Sequence, residues 1–492
     1  MKLYIGIDLG TSSVKLLLLS EAGETVKTVS ESYPVSYPQS GWSEQDPEAW
    51  VRRTVAGIRE LLADQPAAAV RGIGVAGQMH GLVALDANGK VLRPAILWND
   101  GRSAAETEEL NRTVGTERLL RATGNIAYAG FTLPKLLWMR KHEPQIYAKI
   151  HTVLLPKDYL VYRLTGVLGT EPSDACGTLL YDIRNRCWSR EIADACGIPM
   201  AWLPEVRGSA ERVGTLLPEM ARACGLSETV FAAAGAGDNA AAALGTGAIG
   251  EGTCNLSLGT SGTVLIPCAS YPNLASPLLH TFVHADGNPM LLGCVLSAAS
   301  CGQWWIEDIL RTRDYAGEQA HFRAGGAGET FFLPYLMGER SPHNDPNAKG
   351  VFFGMRRNTT RAQLTQAVYE GVTFALRDSL EAAEKQNILL SGVRLCGGGA
   401  VSAAWRQMAA DILNRTVEVP EQVQGPSLGG ALLAAIADGV YSSPQEAAAS
   451  IAETGAVYRP NPEAAAYYQL RYRFFRKLYP AMKPLFADAP IG

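Results

Sequence analysis

The sequence predicts an α/β protein of two related domains, and three observations carry that prediction. The first is Ile5-Gly6-Ile7-Asp8-Leu9-Gly10-Thr11-Ser12-Ser13-Val14-Lys15, a buried strand ending in an acid, a tight turn, and a second apolar strand from Val14 to Leu19. The second is the return of that pattern at Asn255-Leu256-Ser257-Leu258-Gly259-Thr260-Ser261-Gly262-Thr263-Val264-Leu265-Ile266, since internal repetition is the first sign of a duplicated architecture. The third is the alternation of strands and helices after each copy, which argues an α/β fold in both halves. A turn of Gly, Thr and Ser offers backbone N–H groups and hydroxyls to an anion with no bulky side chain in the way. Asp8 is too acidic to hold a phosphate directly and suits a hydrated Mg²⁺ that bridges phosphate oxygens. A single copy would be an ordinary hairpin with an Asp capping its turn. Two copies suggest two phosphate loops facing one nucleotide. The second has Ser257 in place of Asp8, which fits one metal shared between two clamps.

The chain of 492 residues exceeds what one hydrophobic core usually supports. The predicted domains are 1–244 and 245–492, with the last helices (463–486) able to fold back onto either. Hydrophobic residues make up 47% and charged residues 19%, as in ordinary globular proteins. With 44 basic and 48 acidic side chains the net charge is −4, and there is no basic block. This balance argues against nucleic acid and an acidic membrane surface as partners. Nine scattered cysteines, none with CxxC spacing, predict reduced thiols and a cytoplasmic location. Asp8 interrupts the first apolar run, which argues against a secretory leader. The Ala/Gly-rich stretch Val230 to Gly250 holds Asp238 and Asn239 and makes a poor membrane span.

In order along the chain, Thr25 to Val35 reads as a third strand, completing a meander. Asp46-Pro47-Glu48 starts a helix that runs to about Ala63. Val70 to Val75 is a short strand leading into Gly77-Gln78-Met79-His80-Gly81, and Leu82 to Asp86 resumes as a strand closed by the turn Ala87-Asn88-Gly89-Lys90. Ala95 to Trp98 is a further strand ending at Asn99-Asp100-Gly101-Arg102. In the second half a strand is expected near Met290 to Leu292, a helix from Ala298 to Leu310, and a long loop over Gly338 to Pro346. An amphipathic helix follows from Arg361 to Lys385. Val393 to Cys396 is a strand running into Gly397-Gly398-Gly399-Ala400, then a helix from Ala403 to Leu413. Strand, glycines and helix N-terminus again suit an anion or nucleotide. Gly425 to Ala431 opens one more helix.

Among candidate reactive groups, Asp238 sits in Gly235-Ala236-Gly237-Asp238-Asn239-Ala240-Ala241-Ala242-Ala243. It could be a helix cap, yet so many small residues give more room than a cap requires, and they let a ligand approach closely. If the ligand is a hydroxyl, Asp238 can accept its proton as it attacks a γ-phosphoryl group. His80 lies in a glycine-flanked loop as a polar contact or a structural group. Trp98 is either core or a wall for the C–H face of a sugar. His280 and His284 fall on an expected strand, where residues four apart are separated by ~13 Å, too far to share a metal.

Taken together these stretches resemble the FGGY carbohydrate kinases, of the superfamily that also holds Hsp70 and actin, and the likeness extends over essentially the whole chain. One signature of that family is similar to Gly130-Phe131-Thr132-Leu133-Pro134-Lys135-Leu136-Leu137-Trp138-Met139-Arg140-Lys141-His142. The other is similar to Gly350-Val351-Phe352-Phe353-Gly354-Met355, seven further residues, and Gln363 to Glu370. The resemblance implies two duplicated RNase H-like domains with a nucleotide cleft between them. Residues 77–81, 97–102 and 338–344 look most like members that phosphorylate the 5-hydroxyl of D-xylulose with ATP. By that resemblance Asp238 is the general base, Met79, His80 and Trp98 meet the sugar, and Asn239 helps hold it. Asp8 organises Mg²⁺, while Gly10, Thr11, Ser12, Ser13 and Lys15 grip the β- and γ-phosphates. Gly259 and Thr260 form the second phosphate side, and Gly398, Gly399 and Ala400 meet the adenosine. Kinases of glycerol carry an Arg-Glu pair where this chain has Met79-His80, which speaks against glycerol. Some relatives place an Asn near the purine where this chain has Ala403-Ala404. The family also suggests domain closure and a homodimer. Two other readings remain open at this point. One is a kinase of the same fold for L-ribulose, gluconate or another ketose, with Met79-His80 as the discriminating feature. The other is an ATP-clamping switch with no small substrate.

Overall fold

The computed structural model describes residues 1–272, 278–420, 425–451 and 454–488. In the first half, Leu3–Leu9 (β1), Ser13–Ser20 (β2), Thr25–Ser32 (β3), Val70–Gly77 (β4), Arg212–Thr215 (β5) and Phe231–Gly237 (β6) form one sheet in the order β5-β6-β4-β1-β2-β3. The first three strands pair antiparallel, and β4 and β6 then join parallel. In the second half, Gly252–Leu258 (β7), Gly262–Pro267 (β8), His280–Val283 (β9), Pro289–Val295 (β10), Leu390–Cys396 (β11), Thr416–Pro420 (β12) and Thr454–Tyr458 (β13) run in the order β9-β10-β8-β7-β11-β12-β13. Here too an antiparallel meander, β7-β8-β10, is extended by parallel β11 and β12 and closed by an antiparallel edge strand. The repeated loop thus marks a repeated sheet.

Helices cover both sheets: Pro47–Leu61 (α1), Thr132–His142 (α2), Pro156–Thr165 (α3), Asp238–Gly245 (α4), Arg361–Glu384 (α5), Ala403–Leu413 (α6), Gly425–Ala437 (α7) and Pro462–Asp488 (α8). The Asp46 carboxylate caps α1 through the N–H of Glu48, as the Asp-Pro-Glu start predicts. The helix expected from Ala298 to Leu310 is instead a short α-helical turn, Ala299–Gln303, widening into a π-helix over Trp304–Ile309. That geometry lets Trp304 stack on Phe332 and Trp305 pack on Phe352. Among the described residues no helix is long and apolar enough to cross a membrane.

The ends of the chain join the two halves differently. Tyr468, Tyr472 and Phe475 of α8 pack around Phe374 of α5, so the last helix belongs to the second core. Leu428 and Ala431 to Ala435 of α7 instead enter the first core beside Ala240, Ala241 and Leu244 of α4. Two glycines seat α7 directly on the first sheet: a methyl at Gly6 would overlap the Ser427 carbonyl oxygen, and one at Gly74 that of Gly430. The neighbouring helices α4 and α7 therefore run between the halves, and each starts at the cleft.

Candidate active site

The parallel strands of the first sheet end in step: Leu9 lies beside Gly77, and Gly77 beside Gly237. Asp8 and Asp238, on either side of that row, are thereby brought to the carboxyl edge of the sheet, where open α/β sheets bind ligands. Directly across the β1–β2 ladder from Asp8 is Lys15. The second hairpin places Ser257 opposite Thr263 at the same level. The two loops therefore present a charged pair and an uncharged pair to the same space. Asp8, Lys15, Asp238, Asn239, Ser257 and Thr263 all line one cavity of about 300 Å³, with Asn255, Cys396 and the start of α7 completing its wall.

Both acids are perturbed. Burial pushes Asp8 up to about 7, and the charge of Asp238 adds to the effect. Burial pushes Asp238 up to about 6, against the Asn239 N–H that favours its ionised form. Two desolvated carboxyl groups facing one cavity repel each other when both are charged. Asp238 is the first residue of α4, and the N-cap position belongs to Gly237, which has no side chain. The capping alternative therefore does not account for Asp238.

A second cavity of about 980 Å³ lies beside the first on the second domain. Gly259, Thr260, Gly398 and Gly399 line it, together with Ala403 and Ala404. Ala400 is buried with its carbonyl turned to the Arg406 guanidinium, so the exposed Val401 takes the place expected for it. Sequence reasoning missed Gln303, Tyr315, Gln319, Tyr369 and Ser402, which also line this cavity. Gln319 accepts a hydrogen bond from Ser402 and donates one to Tyr369, tying the floor together. Tyr369 lies inside the second signature and Ser402 just past the glycine run, whereas no local pattern announces Gln303, Tyr315 and Gln319.

The first turn is held from beneath. Trp98 Nε1 donates to the Thr11 hydroxyl (2.9 Å), and Thr11 donates to Gln78 Oε1 (3.3 Å). Gln78 and Gln45 bond the carbonyls of Gly10 and Thr11. The Thr11 hydroxyl is thus engaged within the protein, and of the turn only Ser12 is exposed. Gly10, Thr11, Ser12 and Ser13 lie outside both cavity linings. Trp98 thus ties the loop that follows its own strand to this turn, a role neither of its sequence readings anticipated.

His80 has a positive φ of 69° and stacks on Phe131 at 4.5 Å. Its Nδ1 lies 2.8 Å from the Gly177 carbonyl, which can only accept, so Nδ1 carries the proton and Nε2 is left as an acceptor. Burial lowers its pKa to about 3, with Lys135 and Arg340 contributing, and the ring is neutral at physiological pH. The neighbouring His280 is held neutral in the same way and stacks on Phe282. Met79 is buried, with its thioether against Gly237 and 3.8 Å from the Asn239 amide.

The sequence model of the N-terminal domain of the FGGY family of carbohydrate kinases matches residues 3–245, and that of the C-terminal domain matches residues 254–437. The chain belongs to this family. It is 43% identical over 488 residues to a xylulose kinase of Escherichia coli (strain K12), covering 99% of this chain and 100% of that one. A ligand-bound xylulose kinase from Lactobacillus acidophilus superposes with a TM-score of 0.95 at 26% identity, covering 100% of both chains. A gluconate kinase from the same organism superposes with a TM-score of 0.94, also at 26% identity, over 99% of this chain and 100% of that one. The sequence comparisons thus show the family, whereas the fold alone does not separate the two enzyme types.

In this FGGY kinase the two signature stretches build the site without lining the small cavity. Thr132 and the buried Lys135 both donate to the His80 carbonyl, which holds that loop in its left-handed conformation. Burial lowers Lys135 to about 7. In the second signature, Glu370 binds Arg471 and Tyr468 of α8, and Gln366 also reaches Tyr468.

Proposed function

We propose that this kinase transfers the γ-phosphoryl group of ATP to the 5-hydroxyl of D-xylulose. The observation that carries the reading is the small cavity holding Asp8, Lys15 and Asp238 beside the larger one, which Gly259, Gly398 and Gly399 help to line. That arrangement suits a nucleotide with its base in the large cavity and its phosphates in the small one. Asp238 takes the proton of the attacking hydroxyl as its oxygen closes on the γ-phosphorus in line with the leaving ADP oxygen. The proton ends on the Asp238 carboxylate, whose raised pKa suits it to accept at neutral pH. Lys15 and the Gly259-Thr260 turn bear the phosphate charge, and Asn239 and the Nε2 of His80 orient the sugar hydroxyls. Asp8 fits a divalent cation, since a positive charge there would offset the burial, and the nearby Asp238 charge, that raise it. Asp8 would hold the Mg²⁺ ion, and the chemistry supplied there would be neutralisation of the phosphate charge. Most of the rate acceleration comes from alignment and charge compensation.

D-Xylulose is favoured over gluconate by the overall sequence likeness to a xylulose kinase, because the folds of the two enzyme types fit equally well. The testing experiment is a coupled ADP-release assay with Mg²⁺-ATP and D-xylulose, L-ribulose, gluconate, glycerol or no sugar. Turnover dominated by D-xylulose is expected. Preference for another sugar would discard the substrate and keep the kinase, and release independent of any sugar would leave an ATPase switch. His80→Ala is expected to weaken sugar binding about tenfold, as for the loss of a buried hydrogen-bond partner, with ATP binding unchanged by titration calorimetry. An unchanged sugar Kd would remove His80 from the sugar site.

A further inference from the structure

The backbone that carries Asp238 has the smallest side chains of any strand in the first sheet. Residues 232–237 are Ala-Ala-Ala-Gly-Ala-Gly, with no side chain beyond a methyl to wedge them in place. The register of β6 against β4 slips between Ala233 and Ala236, so one extra residue bulges out there. Gly235 takes a φ of 83° in that bulge, and a methyl on it would overlap the Val75 carbonyl oxygen. A bulge re-aims the residues that follow it, and glycine leaves them free to rotate. Asp238 therefore needs its aim fixed from outside the strand.

We infer that Ser173 is a positioning residue that fixes this aim through the Gly237 backbone, an inference that rests on Asp238 being the general base. The Gly237 N–H donates to Ser173 Oγ at 2.9 Å. Ser173 in turn donates to Glu171 Oε1 at 2.8 Å, so its hydroxyl has one direction available. Glu171 is held as firmly: its carboxylate accepts from the N–H groups of Ser173 and Asp174 and from the Ser209 hydroxyl. The Lys157 ammonium lies 3.5 Å from it. Ser173, Glu171 and Lys157 are all fully buried, so no water competes for these bonds. Lys157 also reaches the Ala234 carbonyl at 3.4 Å, and the Gly235 N–H is taken by the Ser209 carbonyl at 3.0 Å. A buried ionic cluster behind the sheet thus clamps the bulge, and Ser173 is its contact nearest the base.

Ser173→Ala removes that contact at nearly constant volume. The expected result is a kcat lower by about 10- to 100-fold, as for a reacting group displaced by a fraction of an ångström, with the sugar KM and the ATP Kd unchanged. Ser173→Thr, which keeps the hydroxyl, should recover most of the rate. In an Asp238→Asn background Ser173→Ala should cost nothing further, because residues acting through one group are not additive. Should Ser173→Ala fail to fold, Ser173→Cys carries the same test with an intermediate loss of kcat. Parent-like kcat, a loss of the same size in the Asp238→Asn background, or a loss shared equally by KM would each overturn the inference. Near-normal turnover of Asp238→Asn alone would instead overturn the assignment of the base.

Discussion

Asp238→Asn is expected to lower kcat at least ~10²-fold, the contribution of a positioned general base, while ATP still binds. The amide keeps the shape of the carboxylate and the start of α4, so a failure to fold does not confuse the result. The pH dependence gives a second check. In the parent enzyme kcat/KM should fall as the pH drops through about 6, because the base is then protonated before it can accept the substrate proton. The variant should lose that acidic limb. Stability should move the other way. A carboxyl whose folded pKa is raised above its unfolded value stabilises the fold below the unfolded pKa and loses that contribution as the pH rises through the folded pKa. At pH 8 the ionised Asp238 therefore costs stability, and Asp238→Asn should melt higher than the parent. Near pH 3.5 the two should melt together. Equal turnover of parent and variant, or a variant that melts lower at pH 8, would contradict the assignment of Asp238 as a buried base.

How much of this site could be read from the sequence depended on whether its parts were local. Asp8 was legible because its strand, turn and strand are contiguous and occur twice, and the two hairpins do occupy equivalent places in two equivalent sheets. Asp238 stood out because the small residues around it are adjacent in the chain. The fates of Met79, Thr11 and Ala400 were not legible, since each depends on a partner far away. Met79 is buried against Gly237, the Thr11 hydroxyl is taken by Trp98 and Gln78, and the Ala400 carbonyl by Arg406. The Glu171–Ser173 cluster joins residues that precede the base by more than sixty positions, in a short helix with no motif. The walls of the large cavity come from five separate segments. The return of α7 onto the first sheet left a trace only in hindsight: Gly6 interrupts a strand of bulky residues and Gly74 lies in a strand where small and bulky residues alternate, at the points where a helix backbone comes closest.

Gly74→Ala tests that contact and should have the largest effect on folding. The added methyl would overlap a backbone carbonyl of α7, and a backbone group cannot swing aside as a side chain can. Overpacking of this kind costs about 3 kcal/mol or more, visible as a lower urea midpoint. The damage should also reach the chemistry, because α7 is pressed on its other side against α4: a methyl at Gly429 would overlap the Ala241 carbonyl. Asp238 begins α4, and Gly425 and Pro426 at the start of α7 line the small cavity. Pushing α7 off the sheet thus shifts two walls of the small cavity at once, and kcat should fall even under conditions where the variant is folded. Gly398→Ala is the contrasting substitution. That glycine lines the large cavity, has an ordinary backbone conformation, and a methyl on it meets nothing within 4 Å. Its urea midpoint should match the parent, and any change should appear in the KM for ATP alone. If Gly74→Ala were as stable as Gly398→Ala, α7 would have to yield without cost, and the close seating of the two halves through this helix would not hold the cleft in shape.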